Sequence, residues 1–175
     1  MARPPRSRSR SIASRHSGRQ AGDAPGKAPP TPLDVAARVL ARGSRTEAEL
    51  AVRLGKIGYS AAKVAETVAR CRELGYVNDA AVAMDRARTL RARGSGSLRI
   101  AAELEARGVP DVLVTAALEE SLEGESEMHW AERALARQRI DVRDPHARAR
   151  ARAWRLLAGR GFPEQVIADV VPDAD

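Results

Sequence analysis

From Leu33 to the C-terminus, apolar residues return at intervals of three and four, the stripe of an amphipathic helix, and Gly, Pro and capping residues punctuate the pattern. One stretch recurs three times: Leu50 to Val68 (LAVRLGKIGYSAAKVAETV), Ile100 to Leu118 (IAAELEARGVPDVLVTAAL) and Ala153 to Val170 (AWRLLAGRGFPEQVIADV). Aligned on Gly58, Gly108 and Gly161, each copy has a leucine four residues before the glycine (Leu54, Leu104, Leu157) and an apolar residue after it (Tyr59, Val109, Phe162). Ser60, Pro110 or Pro163 then opens a further helix through Val64 and Val68, Val114 and Leu118, or Ile167 and Val170. This is a helix stop and restart: glycine takes the left-handed conformation, the apolar residue packs back, and Ser or Pro suits the next first turn.

A helix is expected ahead of each pair. In the first repeat Leu33, Ala37 and Leu40 form a stripe before Gly43, and Ser44 with Glu47 reads as a capping box into the second helix. In the second, Asn78 or Asp79 caps a helix that runs through Val82 toward Arg93 and ends at Gly94-Ser95-Gly96. In the third, a helix over 125–139 contains Met128, Ala131 and Leu135, and a break near Asp141 to Pro145 precedes a long Arg-Ala-rich helix. The expected fold is all-α: tandem three-helix repeats over 33–77, 78–122 and 123–171, stacked into an elongated, curved array.

Residues 1–32 break this pattern. They are rich in Arg, Ser, Pro, Gly and Ala, hold almost no large apolar side chain and read as a disordered basic arm. Of the net charge of +7, this segment carries +6, with six Arg and Lys27 against Asp23, so the rest of the chain is nearly neutral. The arm is either a solubilising tail or a non-specific hold on nucleic-acid phosphates. No apolar stretch approaches the roughly 18–20 residues that span a bilayer, and no apolar segment of a secretion signal follows the N-terminal arginines. The expectation is a soluble cytoplasmic protein.

The search for chemistry finds little. His16, His129 and His146 are far apart and show no metal-ligand spacing, and Cys71, in phase with Val64 and Val68, reads as a core thiol. There is no Walker loop, GxGxxG or GxSxG elbow, so neither catalysis, a cofactor nor a metal is expected. Arginine is more informative. Arg86, Arg88, Arg91 and Arg93 precede the Gly94 loop and Arg99 follows it. Arg137, Arg139 and Arg143, then Arg148, Arg150, Arg152 and Arg155, form a second concentration. Within it Arg148, Arg152 and Arg155 recur at four and three, on one helix face, opposed by Trp154, Leu156 and Leu157 as candidate core.

At Leu74-Gly75-Tyr76-Val77-Asn78-Asp79, with Ala83 further on, the chain resembles the RecX family of recombinase regulators, whose hallmark segment joins the first and second three-helix repeats. Ser44, Glu49-Leu50, Leu54, Gly58 and Tyr59 are similar to that family's first repeat. Arg88, Gly94, Gly96, Arg99-Ile100, Glu103-Leu104 and Gly108-Val109 are similar to its second, and Trp154 to Phe162 to its third. The resemblance covers about Leu33 to Val171. The chain departs from the family at Val82, where Phe is usual, at Ser95 and Ser97, where an aromatic and often a Pro stand, and at Leu90, commonly Arg.

Without the family, the hallmark reads as a junction: Gly75 ends one helix, Tyr76 covers the joint as core, and Asn78 or Asp79 caps the next. The resemblance implies a partner, the RecA–single-stranded DNA filament, in whose helical groove such proteins lie and bridge neighbouring subunits. It also implies an action, hindrance of ATP-driven filament growth and strand exchange, and a place in homologous recombination, DNA repair and the SOS response. Arg88, Arg93, Arg99, Arg148, Arg152 and Arg155 are the expected contacts, since planar guanidinium forks suit carboxylates and phosphates. A monomer is expected, because no heptad seam is present. Two other classes compete: a helical DNA-binding module that uses three-helix repeats and the basic arm, and a helical scaffold for an unrelated partner.

Overall fold

The computed structural model describes residues 30–142 and 147–171; most of the expected basic arm, residues 143–145 of the expected break, with Arg143, and His146 lie outside them. Among the described residues all regular structure is helical: α1 (Pro32–Leu40), α2 (Glu47–Ile57), α3 (Ala61–Glu73), α4 (Asp79–Ala92), α5 (Ser97–Ala106), α6 (Asp111–Glu120), α7 (Glu127–Arg137), α8 (Ala147–Gly159) and α9 (Glu164–Val170). Successive triplets form three units, each with its own apolar cluster. Leu54, Leu104 and Leu157, the repeated leucines, are each fully buried at equivalent places in those clusters. Burying such a side chain contributes about 1.5–3 kcal/mol. Cys71 is buried in the first cluster, and desolvation pushes its thiol pKa up, away from thiolate chemistry.

Local signals account for most helix ends. Gly75, Gly108 and Gly161 have φ of +71°, +73° and +77°. After each, the next amide bonds back to Cys71, Leu104 or Leu157, a Schellman closure. Asn78 caps α4, its Oδ1 accepting from the Ala81 amide at 3.0 Å. Ser60 caps α3 and Ser126 caps α7.

Several expectations shift. The box at α2 is Thr46 with Glu49, not Ser44 with Glu47, because the Thr46 hydroxyl also donates to the Arg107 carbonyl, 2.7 Å away in the next unit. Chain inside the expected arm already belongs to the fold, since Thr31 and Asp34 form a capping box and the Tyr59 hydroxyl donates to the Pro30 carbonyl. Helix α1 is rotated relative to the expected stripe: Ala36 is its buried residue, and Leu33 and Ala37 face out. In α7, Met128 is exposed and Trp130 fills the core instead, its Nε1 donating to the Leu122 carbonyl at 3.3 Å.

The units meet through ends of helices rather than along their sides, and the two junctions repeat one design. At the first, the Glu47 amide donates to Asp79 Oδ1 at 2.8 Å; at the second, the Ser97 amide donates to Glu127 Oε1 at 2.7 Å. Each carboxylate belongs to the first helical residue of a unit and satisfies a free amide on the middle helix of the unit before. Beside these contacts, Gly108 faces Ala48 and Gly161 faces Arg99 so closely that a Cβ on either glycine would overlap the facing residue. At the second junction the Gly96 and Leu98 amides also donate to the carbonyls of Arg160 (2.9 Å) and Gly161 (3.0 Å). These junction bonds link each unit to its sequence neighbours, the arrangement of a linear repeat array.

Candidate partner-binding surface

The six candidate arginines divide. Arg148, Arg152 and Arg155 stand exposed on α8, about 10 Å from first to last at a rise of 1.5 Å per residue, directly opposite the buried Ala153 and Leu157. No carboxylate pairs with them among the described residues, and α8 itself contains no acid. Gly159 continues the same face one turn on, and its carbonyl accepts from Arg99 Nη1 at 3.4 Å. Arg99, on α5 of the second unit, therefore stands at the C-terminal end of the α8 strip. Arg93 caps the end of α4 at this same junction, exposed and without a side-chain partner among the described residues. Arg88 is different: its guanidinium bonds Glu120 at 2.7 Å within the second unit, in a half-exposed pair.

Two neighbours in sequence act differently. Arg91, which the sequence groups with the basic cluster before Gly94, turns inward and is only 1% exposed. Its Nη1 bonds Glu127 at 3.2 Å, its Nε bonds the Ser121 hydroxyl at 3.4 Å, and its Nη2 is buried with no hydrogen-bond partner among the described residues. Arg91 is thus a buried anchor between the second and third units. Trp154, expected in the core, is 37% exposed on the flank of α8, because Ala153 and Leu157 already fill the inward face.

In the junction segment, Leu74 closes α3 and Gly75 takes the left-handed turn. Tyr76 is not core: it is 59% exposed, and Val77 is buried in its place. Asn78 and Asp79 share the capping expected of either one, Asn78 on its own helix and Asp79 on α2 of the unit before.

The bidentate ion pair at the first junction is one that the sequence does not announce. Arg107 holds Glu49 with two bonds, Nε–Oε1 at 2.8 Å and Nη2–Oε2 at 3.1 Å. The hydrogen bond from Arg107 is the main cause of a Glu49 pKa below the ordinary carboxylate value, opposed by burial and assisted by the Thr46 amide and Arg45. Glu49 raises the Arg107 pKa in turn. A spacing of 58 residues gives no local signal; only the repeat register, which sets α2 of one unit against the α5 end of the next, could have suggested it.

The fold and its junctions define an all-helical protein of tandem three-helix units that presents arginine surfaces. Among the described residues no group of three or more potential metal ligands comes together. The family model described as RecX, second three-helix domain, matches residues 78–118. The regulatory protein RecX of Chromohalobacter salexigens is 37% identical over 138 residues, 78% of this chain and 88% of that protein. Its counterpart from Mycobacterium ulcerans is 35% identical over 137 residues, 77% of this chain and 79% of that protein. The crystal structure of RecX from Lactobacillus salivarius has the same fold, with a TM-score of 0.64 at 19% identity, over 80% of this chain and 92% of that one. This chain belongs to the RecX family, a family of regulatory proteins.

Proposed function

We propose that this protein regulates the RecA recombinase by lying in the groove of the RecA–single-stranded DNA filament, where it slows the filament's ATPase and strand exchange and favours disassembly. The observation that carries this reading is the arginine strip of α8 (Arg148, Arg152 and Arg155), unpaired among the described residues, extended by Arg99 and flanked by Arg93, on a chain whose relatives are regulatory RecX proteins. A linear array whose units bond to their sequence neighbours suits a partner that is itself a repeating helical polymer. Unpaired guanidinium groups suit a groove lined by carboxylates or phosphates, since their charge is not already spent within the fold. Arg88 is the least suited of the six, because a partner would have to displace Glu120. The protein would act as a monomer in the cytoplasm, with no cofactor.

Direct contact with single-stranded DNA is a second reading, and Trp154 favours it: an exposed aromatic beside a row of cations is what a base-stacking, phosphate-tracking surface needs. Co-sedimentation with preformed filaments tests both. Reversing Arg148, Arg152 and Arg155 together to Glu, with the helical signal and melting temperature unchanged, is expected to abolish sedimentation with the filament. Full retention overturns the assignment of α8. If the intact protein binds bare single strands as tightly as filaments, the second reading replaces the first.

A further inference from the structure

The α8 strip leaves unused an open cleft of about 660 Å³ at the other junction, where α2 of the first unit meets the α5 end of the second. Residues 49, 52, 53 and 56 of α2 follow one another at three, one and three, so they share one helix face. Arg53 and Lys56 stand on that face, and Arg42 and Arg45 join them from the turn between α1 and α2. Arg42, Arg53 and Lys56 have no carboxylate partner among the described residues, and all three are exposed.

The nearest acid is already engaged. Glu49 is committed to Arg107, and among the described residues only Glu105 remains as a carboxylate of the cleft without a cation. Amid these charges lies apolar surface: Val52, 57% exposed although it sits in the middle of a helix, and the half-buried Val39. The cleft's walls are pinned by the Thr46–Arg107 bond and by the contact of Ala48 with Gly108, so its shape is set by the junction rather than by loose side chains.

We propose that this cleft is a second docking surface, which takes an acidic peptide segment of a partner protein with an aliphatic side chain seated on Val52 and Val39. Charge complementarity gives the sign of the partner. The floor gives its class. No aromatic side chain lines the cleft, so bases would find nothing to stack on, whereas a short aliphatic residue flanked by Glu or Asp would bury apolar surface and meet cations at once. The site stands apart from the α8 strip and does not depend on whether that strip meets a filament.

The test is fluorescence anisotropy with the full chain and a short labelled peptide in which Glu alternates with Leu, against a matched peptide with Gln in place of Glu and a labelled single-stranded oligonucleotide. Saturable binding of the Glu–Leu peptide is expected, weaker at higher salt, and reduced at least about tenfold by joint Arg42→Glu, Arg53→Glu and Lys56→Glu substitution. Val52→Asp should reduce it as well, and reversal of Arg148, Arg152 and Arg155 should leave it unchanged. All substituted positions are exposed, and a matching melting curve verifies that the fold survives. Absence of peptide binding overturns the proposal, as does binding that the cleft substitutions leave intact or that the Gln peptide reproduces. An oligonucleotide that loses affinity on cleft reversal while the peptide does not also overturns it, and assigns the groove to phosphates.

Discussion

Tyr76 is where residue chemistry and position part company. The hallmark segment invites the reading that its one aromatic covers the joint, yet the ring is mostly exposed and Val77, one residue on, is buried. The Schellman turn at Gly75 explains the difference, since it aims residue 76 past the end of α3 while the chain dips back at 77. Tyr76→Ala should therefore cost less than about 0.5 kcal/mol, the usual range for a surface change. Leu54→Ala, in the first core, should cost about 2–5 kcal/mol. Urea unfolding compares the two directly; a Tyr76→Ala loss near that of Leu54→Ala would contradict the exposed placement.

Glu49 gives the residue scale a pH signature. Its pKa in the fold lies below its unfolded value, so the stability it contributes is complete above the ordinary glutamate value of about 4.3 and is lost as pH falls through the lower folded value. Glu49→Gln should flatten that part of the acid stability profile. Replacing Arg107 by Ala should cost about 1–3 kcal/mol at neutral pH, because Glu49 is then left part-buried without its partner. Chemical denaturation at a series of pH values reads both, and identical profiles for the wild type and Glu49→Gln would refute the coupling.

At the scale of elements, the sequence exposes what is local and hides what is not. The repeated Leu-x-x-x-Gly pattern predicts the stop and restart of helices in every unit, because the buried leucine and the left-handed glycine lie within a few residues of each other; a Schellman closure completes the stop at Gly108 and Gly161, and the Gly58 amide bonds the Gly55 carbonyl instead. The capping box of α2 lies two residues beyond the one its local pattern suggests, and α1 is turned out of its expected phase. Thr46 is selected by Arg107, 61 residues away, and the buried face of α1 is set by the α2 and α3 it packs on, neither of which is a local signal. Arg91 shows the same limit: charge and spacing place it with its surface neighbours, and only the partner Glu127 in the next unit draws it inside.

The repeated junction makes a prediction at this scale. Asp79 and Glu127 play one part at two joints, so Asp79→Ala and Glu127→Ala should each remove the cap of a preceding helix, at about 0.5–2 kcal/mol. The Glu127 change should cost more, since it also strands the buried Arg91. Hydrogen exchange should find the faster amides at Glu47 in the first variant and at Ser97 in the second. Faster exchange confined to α4 or α7 themselves would count against a capping role across the joint.

For the whole molecule, the arrangement of charge matters more than its sum. Most of the net positive charge lies in residues 1–32, and the remainder of the chain is close to neutral, yet within it unpaired cations gather on α8 and along α2 while ion pairs tie up others. Three cores joined end to end by short hydrogen-bonded joints give an array that holds such surfaces at set separations. The repeat order and the hallmark segment made this architecture and the family legible in the sequence; which arginines stay free was not, because pairing with Glu120, Glu127 and Glu49 is decided by tertiary packing.

Regulation of the recombinase is read most directly from the steady-state ATPase rate of RecA on single-stranded DNA as this protein is titrated in. A regulator bound in the filament groove produces a steep fall at well below one copy per recombinase subunit, and a much weaker effect when Arg148, Arg152 and Arg155 are reversed. An unchanged rate, with filaments seen to be present, would contradict regulation of the recombinase by this protein.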